Sequence, residues 1–334
     1  MSFESYLNRN TKRMDKLVAE FFKEGSAPDM TRYLYGPLAA YSANGGKRHR
    51  PLICELACEA VGGQPQQARS AAAAIEHFHT AALIHDDIAD ESVLRRGQPC
   101  LHLTQGEGLA INAGDLALSQ VTGLVLEDKG LEDKTKLRVL YELVLMTRRT
   151  IEGQALDIGW ARDGRFDLTC EDYLLMASHK TAFYSGGTPL AVGAIIGGGS
   201  EQEIESLRAF GMASGLAFQI QDDLLNLVGT REATKKDFRS DITEGKRTLV
   251  AVHAIQHSEQ ANELISILAS HTTHPPMLAV AVDLMQEAGS IDYARDYATA
   301  LVSEAKLNLT AALPDSRPRD LLLSMADFFI DRMN

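Results

Sequence analysis

Cysteine is scarce in this chain. Cys54, Cys58, Cys100 and Cys170 are the full set, with no CxxC pair and no Cys/His cluster among them. That excludes a disulfide scaffold and a thiolate metal site, and it suits a reducing compartment. An excess of positive charge is absent too: 33 Lys and Arg stand against 45 Asp and Glu, a net charge of −12. A general nucleic-acid or anionic-membrane surface is excluded on that ground, and an anionic substrate needs a local basic site. Long uninterrupted apolar runs are also missing. Ala71 to Ile84 contains Glu76, His77 and His79, and Thr188 to Ile196 is short and flanked by glycines, against the ~20 apolar residues of a spanning helix. The opening MSFESYLNRNTKRMDKLVAEFF lacks the apolar core of a signal peptide. These absences predict a soluble cytoplasmic protein with no stable membrane insertion.

Strand signals are nearly absent as well, since β-branched runs bounded by turn dipeptides do not occur. What is present is 45% hydrophobic residues in long Ala/Leu/Glu-rich segments with apolar positions three and four apart. The pattern predicts an all-α chain, with helices near 4–23, 48–62, 67–91, 107–127, 132–157, 171–184, 201–228, 246–270, 276–288, 291–311 and 319–332. Breaks such as Asn44-Gly45-Gly46, Gly62-Gly63-Gln64-Pro65, Arg96-Gly97-Gln98-Pro99 and Gly197-Gly198-Gly199 are loops, and none is a long polar linker. One large helical domain over residues 1–334 is expected, without the internal repeats of a solenoid.

The chemistry is concentrated in a few turns. Leu83-Ile84-His85-Asp86-Asp87-Ile88-Ala89-Asp90-Glu91 crowds carboxylates at the end of an apolar helix. Asp86 and Asp90 are four apart and Asp87 and Asp90 three apart, a like-charge spacing that destabilises a helix. A solvated acidic turn is the plain explanation. A hard divalent cation is the functional one, because oxygen ligands one turn apart suit Mg²⁺ completed by substrate phosphates. A second acidic turn, Gln219-Ile220-Gln221-Asp222-Asp223-Leu224-Leu225-Asn226, ends another apolar run. Two such turns facing each other require metal ions and an anion between them, which a Mg²⁺-held diphosphate satisfies.

Basic groups must then hold the remaining phosphate. Asn44-Gly45-Gly46-Lys47-Arg48-His49-Arg50-Pro51 combines glycines that allow close backbone approach with Lys47 and Arg50 on the entering helix. Positive charge in a first helical turn opposes the macrodipole and so is not there for stability alone. Arg95 and Arg96 follow the first acidic turn and suit bidentate phosphate contacts, or simple neutralisation of the aspartates. Lys180-Thr181 and the set Lys236, Asp241 and Lys246 add cations and polar groups at helix ends; each alone reads as surface.

Taken in order, GGKRHRP, EHFHTAALIHDDIADESVLRRGQPCLH, HKT, FQIQDDLLNLVG and KKDFRSDITEGKRT, spanning residues 45 to about 250, resemble the signature of the trans-isoprenyl diphosphate synthases, or polyprenyl synthetases. The resemblance implies a large helical bundle of the class I isoprenoid synthase type, a homodimer, and head-to-tail condensation of isopentenyl diphosphate with an allylic diphosphate. By resemblance, Asp86, Asp87, Asp90 and Asp222, with Asp223, bind three Mg²⁺ ions on the allylic diphosphate. Lys47, Arg50, His79 and Arg96 match the isopentenyl diphosphate pocket, and Arg95, Lys180, Lys236 and Lys246 match groups on the allylic diphosphate. Thr181 and Gln219 match residues near the developing carbocation.

Asn226 departs from this pattern, standing where many members carry Asp; weaker or more indirect metal contact is expected there, with activity retained. In the family, bulky residues four and five before the first aspartate floor the hydrophobic pocket. Here they are Ala82 and Ala81, and Phe78, eight before Asp86, lies roughly 12 Å deeper than that aspartate at 1.5 Å per residue. This implies products longer than farnesyl, geranylgeranyl diphosphate first among them, with Ser119 and Gln120 on a neighbouring helix also able to affect depth. Two alternatives share the fold. A class I terpene cyclase needs no second diphosphate pocket, against Lys47, Arg50 and His79. A non-catalytic synthase subunit predicts eroded aspartates, and only Asn226 departs.

Overall fold

The computed structural model describes residues 1–229 and 238–331, and among these the chain is helical apart from a two-residue hairpin pairing Leu94–Arg95 with Gln98–Pro99. The residues divide into two compact units. The first comprises Met1–Thr147, Thr188–Arg208 and Ala312–Leu322; the second comprises Arg148–Gly187, Ala209–Ala311 and Leu323–Asn334.

In the first unit the helix Phe3–Glu20 is capped by Ser2, whose hydroxyl accepts from the Ser5 N–H at 3.3 Å. It buries Phe3, Leu7, Met14, Leu17 and Val18 on one face, each worth ~1.5–3 kcal/mol relative to exposure. The central helix Arg69–Ala89 begins with Ala71, Ala72, Ala73 and Ala74, all fully buried. Small side chains let neighbouring helices approach closely, and alanine favours the helix intrinsically. Ala81 and Ile84 further along it join Leu38, Tyr41, Ala110, Ala113 and Ala117 in one cluster. The helix ends at Asp90, followed by Glu91 in the left-handed region at φ 49°.

Glu107–Glu127, packed through that alanine face, is by length and composition apolar enough to cross a membrane, although only 39% of its apolar window is buried. The most apolar stretches of the sequence lay elsewhere; this helix gains its apolar character from many alanines and leucines spread over both faces. The next helix, Asp133–Arg162, buries Val139, Leu143 and Met146 and exposes Leu137, Tyr141 and Val144.

In the second unit a π-helix, Ser178–Gly187, continues Cys170–Ala177, and its path depends on backbone-to-backbone contact. A Cβ at Gly186 would lie 2.1 Å from the Gly211 carbonyl oxygen, and one at Gly211 would lie 2.4 Å from that of Gly186. On the other side Gly153 abuts the Lys180 nitrogen, where a Cβ would come within 2.2 Å. Such wide turns recur at functional sites because they re-aim side chains.

Three expectations differ from the structure. Residues 28–43, unassigned in the sequence, form consecutive helical turns, Pro28–Met30, Thr31–Tyr35 and Gly36–Ala43. The stretch 246–270 is two helices, Leu249–His257 and Ala261–Ala269, because the chain leaves the helix at Ser258 with ψ 137°. Thr188–Ile196, too short for a membrane, is a buried helix whose Gly193 lets it press against the Cys54 carbonyl.

Candidate active site

Each unit carries one half of the predicted chemistry. In the first, the helix Arg69–Ala89 delivers its acidic turn in two directions. Asp86 is half-buried and Asp90 exposed, one turn apart. Asp87 points inward with 1% of its side chain exposed, accepting from the Tyr41 hydroxyl at 2.6 Å on Oδ2 and from Arg95 Nε at 2.7 Å on Oδ1. Burial and the Asp87 charge push the Tyr41 phenol far up, so it stays a donor. Both Asp87 oxygens are thus engaged inside the protein, and Arg95 is committed to Asp87. Asp86 and Asp90 are the hard oxygen donors that suit a divalent cation.

The hairpin turn after this helix places Arg96 and Gly97 at φ 53° and 79°, the paired positive angles of a tight two-residue connection. It folds Arg96 back onto Gly45, to whose carbonyl oxygen it donates. Gly46, at φ 140°, lies under the same guanidinium, where a Cβ would come within 2.9 Å of its carbon. Around this loop Arg50 and His79 are buried. Burial and the charges of Arg50, Arg96, His49 and Arg48 hold the His79 imidazole well below its usual range, so it is neutral. Lys47 is exposed at the rim. The structure therefore brings Arg50, His79 and Arg96 together, with the buried carboxylate Glu76 among them.

In the second unit the helix Glu201–Val228 presents Gln219, Asp222, Asp223 and Asn226 on successive turns. The Thr181 hydroxyl donates to Gln219 Oε1 at 2.7 Å, and Gln219 Nε2 donates to Asp223 Oδ1 at 2.7 Å. The Tyr173 hydroxyl donates to Asp223 Oδ2 at 2.7 Å. Asp223 is held as Asp87 is, with a tyrosine on one oxygen. Burial and the nearby charge of Asp241 push its carboxyl up. Lys180 Nζ pairs with Asp157 at 2.5 Å, and Lys246 pairs with Glu244 at 2.8 Å and Asp241 at 3.3 Å. Asp223, Asp241 and Lys246 line one small cleft.

Asn226 uses both ends of its amide. It donates to the Ser240 hydroxyl at 2.9 Å and accepts the Asp241 N–H at 3.2 Å. A carboxylate could not make the first of these bonds as a donor, which gives the departure a structural reason. Lys236 lies outside the described residues. Tyr41, Tyr173, Asp157 and Glu76 were not visible as site residues in the sequence, since a lone tyrosine or acid on a helix carries no motif.

Residues 31–285 match the polyprenyl synthetase family. The chain belongs to that family. As a polyprenyl synthetase it is a transferase of isoprenoid biosynthesis with the all-α class I isoprenoid synthase fold. The short chain isoprenyl diphosphate synthase of Methanothermobacter thermautotrophicus is 41% identical over 291 residues, 86% of this chain and 87% of that one. The crystal structure of geranylgeranyl pyrophosphate synthetase from Pyrococcus horikoshii Ot3 superposes with a TM-score of 0.90 at 33% identity, covering 98% and 99% of the two chains. A polyprenyl synthase from Caulobacter crescentus CB15, solved with calcium and isoprenyl diphosphate, superposes at 0.83 with 28% identity over 99% of this chain and 97% of its own.

Proposed function

We propose that this polyprenyl synthetase condenses isopentenyl diphosphate with an allylic diphosphate, head to tail, to a linear trans-prenyl diphosphate of C20 or longer, geranylgeranyl diphosphate foremost. The observation that carries it is the cluster of Arg50, His79 and Arg96 at the Gly45-Gly46 loop. In this reading two guanidiniums, with the neutral His79 imidazole beside them, form a diphosphate site distinct from the aspartates that would hold a metal. A cyclase, with one diphosphate to hold, has no use for it.

In this reading isopentenyl diphosphate rests on Lys47, Arg50, His79 and Arg96. Asp86, Asp90 and Asp222 hold Mg²⁺, three ions with allylic diphosphate bound, and Asp87 and Asp223 fix the turns that carry them. Bound Mg²⁺ supplies charge neutralisation for the departing diphosphate. Lys180, Lys246 and Lys236 bind that diphosphate, and Arg95 acts there through Asp87. The Thr181 and Gln219 oxygens turn their dipoles toward the allylic cation, lowering the barrier where charge develops. The isopentenyl double bond attacks the cation, and the released proton passes to diphosphate. Exclusion of water prevents capture of the cation as an alcohol.

We further propose that the whole chain acts as one catalytic domain, cytoplasmic and homodimeric. The exposed Leu137, Tyr141 and Val144, opposite a buried apolar face of the same helix, support a self-association surface.

The test incubates the protein with isopentenyl diphosphate, Mg²⁺ and, separately, dimethylallyl, geranyl or farnesyl diphosphate, with products identified by mass spectrometry. A ladder ending at one linear length is expected. A hydrocarbon made without consuming isopentenyl diphosphate would reassign the chain to cyclisation.

A further inference from the structure

The tripeptide Gly-Lys-Arg occurs twice, as Gly46-Lys47-Arg48 and Gly245-Lys246-Arg247, each leading into a helix, His49–Ala60 and Leu249–His257. The two copies lie in different units, and each has the same internal design. The glycine takes a positive φ, 140° at Gly46 and 64° at Gly245. The lysine keeps access to solvent. The arginine turns inward and is buried, with 4% exposure at Arg48 and 5% at Arg247.

Those arginines are occupied by the protein itself. Arg48, at φ 53°, donates Nε to Asp15 at 2.8 Å, one terminal nitrogen to Glu76 at 2.7 Å and the other to the Ser42 carbonyl at 2.5 Å. It thereby ties the loop to the helices Phe3–Glu20, Arg69–Ala89 and Gly36–Ala43. Arg247 donates Nε to the Arg165 carbonyl at 2.7 Å and a terminal nitrogen to the Gly245 carbonyl, and its guanidinium lies 4.1 Å over the Phe166 ring. A guanidinium aimed at a diphosphate presents its fork to the ligand; both of these present it to the interior.

We propose that Arg48 and Arg247 are positioning residues, each clamping the glycine loop that carries its neighbouring lysine, Lys47 for isopentenyl diphosphate and Lys246 for the allylic diphosphate. The inference rests on the synthase reading above. A loop with left-handed glycines is intrinsically free, and a lysine on it would surrender entropy each time it bound phosphate. A planar fork with several donors removes that freedom beforehand, which an ammonium cannot do at the same site.

The test is a pair of charge-keeping substitutions, Arg48→Lys and Arg247→Lys, with KM measured for both substrates, kcat, and the melting temperature. Arg48→Lys is expected to raise KM for isopentenyl diphosphate about tenfold and leave KM for geranyl diphosphate within about twofold; Arg247→Lys is expected to do the reverse. If either protein fails to fold, Asp15→Asn and Phe166→Leu loosen the same clamps from their outer ends and carry the same split, at about threefold. Equal changes in both KM values, or a fall in melting temperature with unchanged KM, would assign the arginines to general stability and overturn the inference alone. A wild-type chain without turnover would overturn the synthase reading and this inference with it.

Discussion

Single carboxylates within one motif have different work because the helix sends them in different directions. Asp86 is half-buried and Asp90 exposed, whereas Asp87 is bonded to Tyr41 and Arg95 inside. Asp86→Ala should therefore abolish turnover in a steady-state assay with the fold intact, whereas Asn226→Asp should retain it and lose about 1 kcal/mol of stability with the Ser240 bond. Strong activity in Asp86→Ala would undermine the metal assignment. The motif spacing was legible in the sequence; the direction of each carboxylate was not, since Tyr41 lies 46 positions from Asp87. Depth in the product pocket that the family resemblance implies is a residue property too. Ala81 is fully buried, Ala82 half-buried, and Phe78 buried at 2% exposure. Phe78→Ala should lengthen the product distribution on mass analysis, and an unchanged distribution would make Phe78 a core residue only. Of the two neighbours considered for that depth, Gln120 is buried, while Ser119 is exposed and its hydroxyl donates to the Leu116 carbonyl at 2.9 Å.

Among the elements, the π-helix Ser178–Gly187 governs where Lys180 and Thr181 point. Its path needs hydrogen-sized side chains at Gly186 and Gly211, whose backbones touch. Gly211→Ala forces backbone apart from backbone. It is expected to cost about 2 kcal/mol in urea unfolding and to lower kcat more than either KM. Wild-type stability in that variant would show that the two segments can separate freely. Helix content was readable from periodicity, but the wide turn was not, because it arises from contact between Gly186 and Gly211, 25 positions apart, rather than from local propensity.

At the scale of the molecule, buried histidine sets an acid limit. His77 is fully buried, stacked 4.2 Å from the Phe22 ring, and burial lowers its imidazole to about 4 from the ordinary 6.5. The neutral form is therefore the folded form. Stability from this group is full above pH 6.5, falls as the unfolded state takes up a proton below it, and is lost through pH 4. The total is about 3 kcal/mol. Urea midpoints measured from pH 7 to pH 4 should decline, and His77→Leu should flatten that decline; an equal slope in both proteins would place the effect elsewhere. The exposed Leu137, Tyr141 and Val144 bear on assembly. Tyr141→Lys should shift the protein toward monomer in sedimentation, and an unshifted dimer would move the interface to another face.

The order and spacing of GGKRHRP, the two aspartate turns, HKT and EGKRT determined by themselves the family, the all-α class and the charged groups available for diphosphate and metal. They do so because helical period and ligand spacing are local properties of the chain. Only the tertiary structure decided which of those charges face outward and which are spent inside. Asp87, Asp223, Arg48 and Arg247 carry the same formal charges as their motif neighbours, yet are consumed by Tyr41, Tyr173, Glu76 and backbone carbonyls. A buried charge must find partners wherever the fold brings them, and those partners come from distant segments that no spacing rule connects.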